Sequence, residues 1–176
     1  MEDETMSDSI HVREEGRGTA LSDYWPLISL VGVAGLAAFA IGAGFGDLAM
    51  RPVMHAYMGM FLIIFALLKL FDLEGFKDGF HMYDLLAKKA EPYGYVYPFI
   101  ELALGLAFLA FFMPTATYII TIAVFAFGAA GVFKALQEGV DIECPCMGNI
   151  LSVPLSTVTL TEDIAMIVMA AVLLAT

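Results

Sequence analysis

The sequence predicts an all-α membrane protein: a four-helix transmembrane bundle with one extra N-terminal transmembrane helix. Three observations lead there. Of 176 residues, 60% are apolar and only 15% charged, whereas a soluble domain carries about 25% charged residues. The apolar residues fall in blocks close to the roughly 20 residues that a helix needs to cross a hydrocarbon core of about 30 Å. The charges collect between and outside those blocks, with lysine and arginine weighted to one side.

Residues 1–24 hold seven acids against two arginines and few large apolar side chains. They cannot bury a core and read as a disordered acidic tail. They lack the basic start and small-residue cleavage site of a signal peptide. The net charge of −11 comes without a basic stripe, which excludes a nucleic-acid partner. The extra helix is residues 25–45, uncharged, with an interfacial Trp25 and with Pro26 in the first turn, where a missing N–H costs little. Its glycines and alanines allow a neighbouring helix to approach closely.

Residues 50–176 form the predicted bundle. Its first span is Pro52–Phe71, with Lys69 near the end. Residues 72–95 are too polar to span. Their Phe76, Phe80, Tyr83 and Leu86 recur at helical spacing and predict a short helix lying at the membrane interface. The next span is Val96–Met113 with Glu101 inside it. "PTAT" follows as a tight turn, and then the span Thr117–Leu136. A thiol loop at 137–155 leads into the last span. Only a short run follows Asp163, so this helix must begin near Ser156 to cross a membrane. Glu162 and Asp163 then lie one to two turns deep. Two readings stand for them: helix N-terminal acids with Thr161 as cap, or groups facing the bundle interior.

With five spans, the N-terminus, residues 72–95 and the thiol loop share one side. That side carries Arg13, Arg17, Lys69, Lys77, Lys88, Lys89 and Lys134; the other carries Arg51. The positive-inside rule predicts a cytoplasmic N-terminus and thiol loop in a bacterial inner membrane.

The two cysteines of the chain, Cys144 and Cys146, flank Pro145. A Cys-x-Cys pair is within disulfide range, but the ring is small and strained, and strained disulfides are the labile ones. A bond across one residue removes almost no chain entropy, so it suits exchange better than stapling. The same two thiolates, with the Met147 thioether as third ligand, would also clamp a soft ion such as Cu(I) or Hg(II). Two unrelated buried cysteines are the plain alternative.

The stretches "KLFDLEGF" (Lys69–Phe76), "YD" (Tyr83–Asp84), "YPFIELALG" (Tyr97–Gly105), "CPCMG" (Cys144–Gly148) and "PLSTVTLTED" (Pro154–Asp163) together resemble the DoxX-like membrane proteins, above all their methylamine-utilisation MauE branch. The resemblance runs from about Met50 to the C-terminus. It implies a four-helix bundle to which residues 25–45 are an addition, and redox work at Cys144 and Cys146. It also implies disulfide formation or electron supply for a periplasmic partner, and a quinone as cofactor. A thioredoxin- or glutaredoxin-like protein would be the redox partner and membrane lipid the surroundings.

Lys69, Asp72, Glu101, Glu162 and Asp163 are the ionisable groups nearest membrane depth. A carboxylate there is costly unless protonated or paired. Lys69 ends one span on the side where the next begins, so a Lys69–Glu101 ion pair is expected, either fixing helix register or serving as a proton site. Tyr83, Tyr95 and Tyr97 read as interfacial belt residues. Met50, Met54 and Met58, with His55 and Met60 beside them, read as a thioether ladder for a soft metal or as simple packing. Three functions therefore stand: a thiol–disulfide or electron relay through the Cys-Pro-Cys loop, a soft-metal binding or transport protein, and a non-catalytic membrane assembly subunit.

Overall fold

A computed structural model describes residues 24–46, 48–88, 90, 92–137 and 155–176, with backbone alone for 155–158. The predicted acidic tail and thiol loop, with Cys144, Cys146 and Met147, lie outside the described residues. Among those described there are helices and no strand: α1 Trp25–Gly44, α2 Met50–Phe71, α3 Leu73–Tyr83, α4 Pro92–Leu109, α5 Pro114–Gln137 and α6 Leu155–Ala175. Four of them, α1, α2, α4 and α5, are long and apolar enough to cross a membrane. The chain is an all-α membrane protein.

Proline marks where these helices start. Pro26, Pro52, Pro92 and Pro114 all sit in a first turn, where the N–H they lack has no helical partner anyway. This corrects the expected turn at "PTAT". Pro114 opens α5, and the reversal is made by Ala110–Met113 instead. Phe111 and Met113 take left-handed φ of 49° and 40° there, an uncommon conformation for residues with a side chain. Thr117 holds the turn by donating its hydroxyl to the Phe112 carbonyl at 2.8 Å and its N–H to that of Met113 at 3.0 Å.

Two antiparallel pairs build the bundle, α2 with α4 and α5 with α6, while α1 packs on α2. The α2–α4 crossing is very tight. A Cβ on Gly59 would lie 2.7 Å from Leu109 and 2.9 Å from the Gly105 carbonyl, and one on Gly105 would lie 2.8 Å from Ile63. On α6 the buried residues Thr159, Asp163, Met166, Ala170 and Leu173 follow a heptad-like spacing, so one continuous stripe faces its neighbours. The outer faces show large apolar side chains such as Leu36, Phe99, Ile119 and Val168. That suits lipid, where no hydrophobic force drives them inward.

Helix α3 is the short helix expected between the spans, and its aromatic stripe packs on the bundle. It starts where Asp72 accepts a hydrogen bond from the Gly75 N–H at 3.1 Å, an N-cap. Its Phe76, Phe80 and Tyr83 are buried in the bundle rather than laid on a surface; Leu86 alone of the expected stripe is exposed. Beyond it, Asp84 Oδ1 accepts from the N–H groups of Leu86 and Ala87, both at 2.8 Å. Asp84 is buried, and its Oδ2 has no hydrogen-bond partner among the described residues. Burial raises its pKa, against the smaller opposing pull of the two N–H groups and Lys88.

Two predictions follow from this packing. Gly59→Ala should destabilise the protein by about 1–3 kcal/mol, because α2 and α4 must move apart. Gly32→Ala, where an added Cβ meets nothing within 4 Å, should be neutral or slightly stabilising. Thermal unfolding of the two purified variants in detergent compares them directly. For Asp84, a carboxyl raised in the folded state binds more protons there than when unfolded, so stability must fall as pH rises above the ordinary aspartate range. Asp84→Asn keeps an acceptor for both N–H groups and should remove that slope, read as melting temperature against pH from about 4 to 7.

Candidate functional site

A charge at membrane depth needs a partner. Lys69, in the last turn of α2, forms an ion pair with Glu101 of α4, as expected from the sequence. The side chains of both are nearly enclosed, 5% and 3% exposed. The Lys69 ammonium also lies 5.6 Å from the Phe76 ring centre and 5.3 Å from that of Tyr97, which adds cation–π attraction in a desolvated setting. Tyr97 and Glu101 are one turn apart on α4, so they share a face. Tyr83 and Tyr97 are buried and form this collar with Phe76 and Phe80; the belt reading fails for both. Tyr95 does reach the outside, where its hydroxyl donates to Glu74 at 2.9 Å.

The fifth helix of the bundle completes the site. α6 begins at Leu155, so Thr161 lies well inside it and does not cap it. Asp163 is buried. Its carboxylate fills the groove left by a glycine on α5: a Cβ on Gly128 would stand 3.3 Å from Asp163 Oδ2. Lys69, Glu101, Glu162, Asp163 and Thr159 together line one enclosed cavity of about 20 Å³, enough for roughly one water. Three carboxylates and one ammonium around a water-sized space can hold a proton and pass it on. Glu162 and Phe61 also line a second, larger cavity of about 340 Å³ that lies against α1. Asp72 stands apart from this group, as the cap of α3.

At the opposite end of α2, His55 is wholly buried. Its Nδ1 lies 3.0 Å from the Phe108 carbonyl, and its Nε2 bonds to the Tyr118 hydroxyl. A carbonyl only accepts, so Nδ1 carries the proton and Nε2 accepts from Tyr118. The ring also stacks on Phe111 at 4.1 Å. Both nitrogens are thus occupied by protein, which removes His55 from the methionine ladder. The ladder itself runs from an exposed Met50 to a fully buried Met58. No group of three His, Cys, Asp or Glu among the described residues could hold a metal ion.

Sequence reasoning missed the His55–Tyr118 link, the inward face of α3 and the seat of Asp163 on Gly128. The last had a signal, since Asp163 continues the buried spacing of Met166, Ala170 and Leu173.

Removing one member of a buried ion pair leaves the other uncompensated. Lys69→Met alone should therefore cost about 3–5 kcal/mol, and the double variant Lys69→Met, Glu101→Leu clearly less. Unfolding of the two single variants and the double in detergent gives the coupling as a double-mutant cycle.

No curated protein and no solved structure matches the chain. Residues 48–176, from the start of the bundle to the C-terminus, match the family described as "Methylamine utilisation protein MauE", and the chain belongs to that family of membrane proteins.

Proposed function

We propose that the chain is a thiol–disulfide relay of the bacterial inner membrane, working through Cys144 and Cys146, with its N-terminus and thiol loop cytoplasmic. The observation that carries this reading is the position of the charged cavity. Val132 and Thr159 line it, and each lies about one turn from a helix end to which the loop attaches, Gln137 and Leu155. The segment that carries the two thiols is thus joined at both its ends to helices that line a set of buried proton-holding groups.

The chemistry requires such groups. Joining Sγ of Cys144 to Sγ of Cys146 releases two electrons and two protons. In exchange with a thioredoxin- or glutaredoxin-like partner, the partner's disulfide takes both electrons and becomes a dithiol, so no other oxidant is consumed. The family description points to methylamine utilisation as the process served, with a periplasmic protein whose disulfides must form as the client. The cavity against α1 offers oxygens at Tyr57, Thr161 and Glu162 within an apolar wall, which fits a quinone. When bound, such a ring supplies a two-electron, two-proton acceptor. The protein's own part is to hold the ring, exclude water and present Glu162. Soft-metal transport loses support from His55, whose nitrogens are engaged within the bundle.

Membranes poised with oxidised and reduced glutathione, then thiol-trapped and run on a gel, test the relay. Wild type should shift between dithiol and disulfide at a potential above the roughly −300 mV of structural bonds. Cys144→Ser with Cys146→Ser should lose activity while keeping abundance and thermal stability, because the bond closes almost no loop. Thiols that stay reduced at every poise, or a double variant that fails to fold, would make the cysteines structural.

A further inference from the structure

Asp84 is a buried carboxylate that the relay does not use. It is 1% exposed, and its Oδ1 alone accepts both N–H groups that it caps, those of Leu86 and Ala87. An asparagine oxygen would serve those two bonds as well. The second oxygen, Oδ2, is buried with no hydrogen-bond partner among the described residues. That arrangement costs free energy, and capping does not explain it. The surroundings of Asp84 supply a reason. It lies immediately outside the enclosed cavity. Tyr83, the residue before it, lines that cavity, and so does Val132, which follows Gly131 on α5. A Cβ on Gly131 would stand 3.2 Å from the Tyr83 carbonyl and 3.4 Å from Asp84 Cα. Tyr97 walls the cavity as well. One turn nearer the start of α4, on the same face, comes Tyr93, its ring centre 6.0 Å from that of Tyr97. Tyr93 is half-buried, and its hydroxyl is within electrostatic reach of both Asp84 and Glu101.

We propose that Asp84 and Tyr93 are the proton entry to the buried charge cluster, passing protons between water and the carboxyl groups of Glu101, Glu162 and Asp163 by way of Tyr97. An enclosed cluster of three carboxylates and one ammonium has use for a proton only if one can reach it. A phenol donates and accepts at once, so each tyrosine relays a proton without giving up its partners. The cavity that Tyr97 shares with the carboxyl groups has room for roughly one bridging water. Each transfer breaks one O–H bond and makes another. No electron moves, and the proton that leaves Asp84 is replaced from water. Burial holds the Asp84 carboxyl above the ordinary aspartate range, closer to the pH at which a group exchanges protons readily in both directions. The charged and titratable groups around it are Lys88 in the turn that follows, Tyr93 and Glu101 of α4, and Lys134, the single charged residue of α5. What the protons serve rests on the relay reading, in which each disulfide formed releases two. The path itself does not.

The test is infrared spectroscopy of the full chain in nanodiscs as water is replaced by heavy water. The C=O stretch of a buried protonated carboxyl moves to lower frequency when its O–H becomes O–D. The band is assigned by its loss in Glu101→Gln, Glu162→Gln or Asp163→Asn. Asp84→Asn and Tyr93→Phe should each slow its exchange at least about tenfold, and Asp84→Glu should restore most of the rate. In wild type the rate should fall as pH rises through the titration of Asp84, and Asp84→Asn should lose that dependence. Tyr95→Phe, whose hydroxyl meets Glu74 on the outside, should exchange as wild type. So should Cys144→Ser with Cys146→Ser, which separates this result from the fate of the relay. Tyr93→Phe keeps the ring that packs on Phe80 and Tyr97, and it decides the matter if Asp84→Asn does not fold. Wild-type exchange in folded Tyr93→Phe or Asp84→Asn, equal slowing by Tyr95→Phe, or the lack of a protonated carboxyl band at every pH would overturn the inference.

Discussion

An ammonium group cannot rest alone inside a lipid-embedded bundle, and the charged half of this structure is organised around the one on Lys69. Its counter-charge has to come from a facing helix, which sets the register of α2 against α4 through Glu101. Its remaining surface must be shielded from lipid, and α3 does that by turning Phe76, Phe80 and Tyr83 inward while α4 adds Tyr97. A polar segment between two spans thus becomes part of the core. The sharp Asp72 cap after α2 is what turns the chain back toward the pair it shields.

The same two helices are tied again at their other end. His55 near the start of α2 bonds to the carbonyl of Phe108 near the end of α4, and to Tyr118 of α5. Between the two polar ties, Gly59 and Gly105 let the backbones meet without side chains between them. Helices in lipid gain little from apolar contact alone and associate through close packing and hydrogen bonds. The α2–α4 pair has both, arranged as tie, close contact, tie. The α5–α6 pair relies instead on the buried stripe from Thr159 to Leu173, with Asp163 seated on Gly128.

What was legible in the sequence is what composition and local chemistry decide. Helix existence followed from apolar length, and helix starts from proline. The Lys69–Glu101 pair followed from two charges at one end of successive spans. The start of α6 followed from length alone. What was not legible depended on tertiary choice. The aromatic spacing of residues 76–83 is the same for a helix lying on a membrane as for one buried in a bundle, and only the position of Lys69 decides between them. Tyr83 and Tyr97 went the same way, because an interfacial belt and a cation collar use the same residue type. His55 was read by its methionine neighbours on the chain, whereas its real neighbours come from α4 and α5. The turn at Phe111 and Met113 has no sequence signature, since neither residue favours positive φ.

Pairing inside the bundle also changes how charge reports orientation. Lys69 is matched by Glu101 and no longer counts among the residues that feel the membrane surface. Without it, the five-span reading of the sequence still sets Arg13, Arg17, Lys77, Lys88, Lys89 and Lys134 against a single Arg51. The charge bias on which the proposed orientation rests therefore keeps its sign.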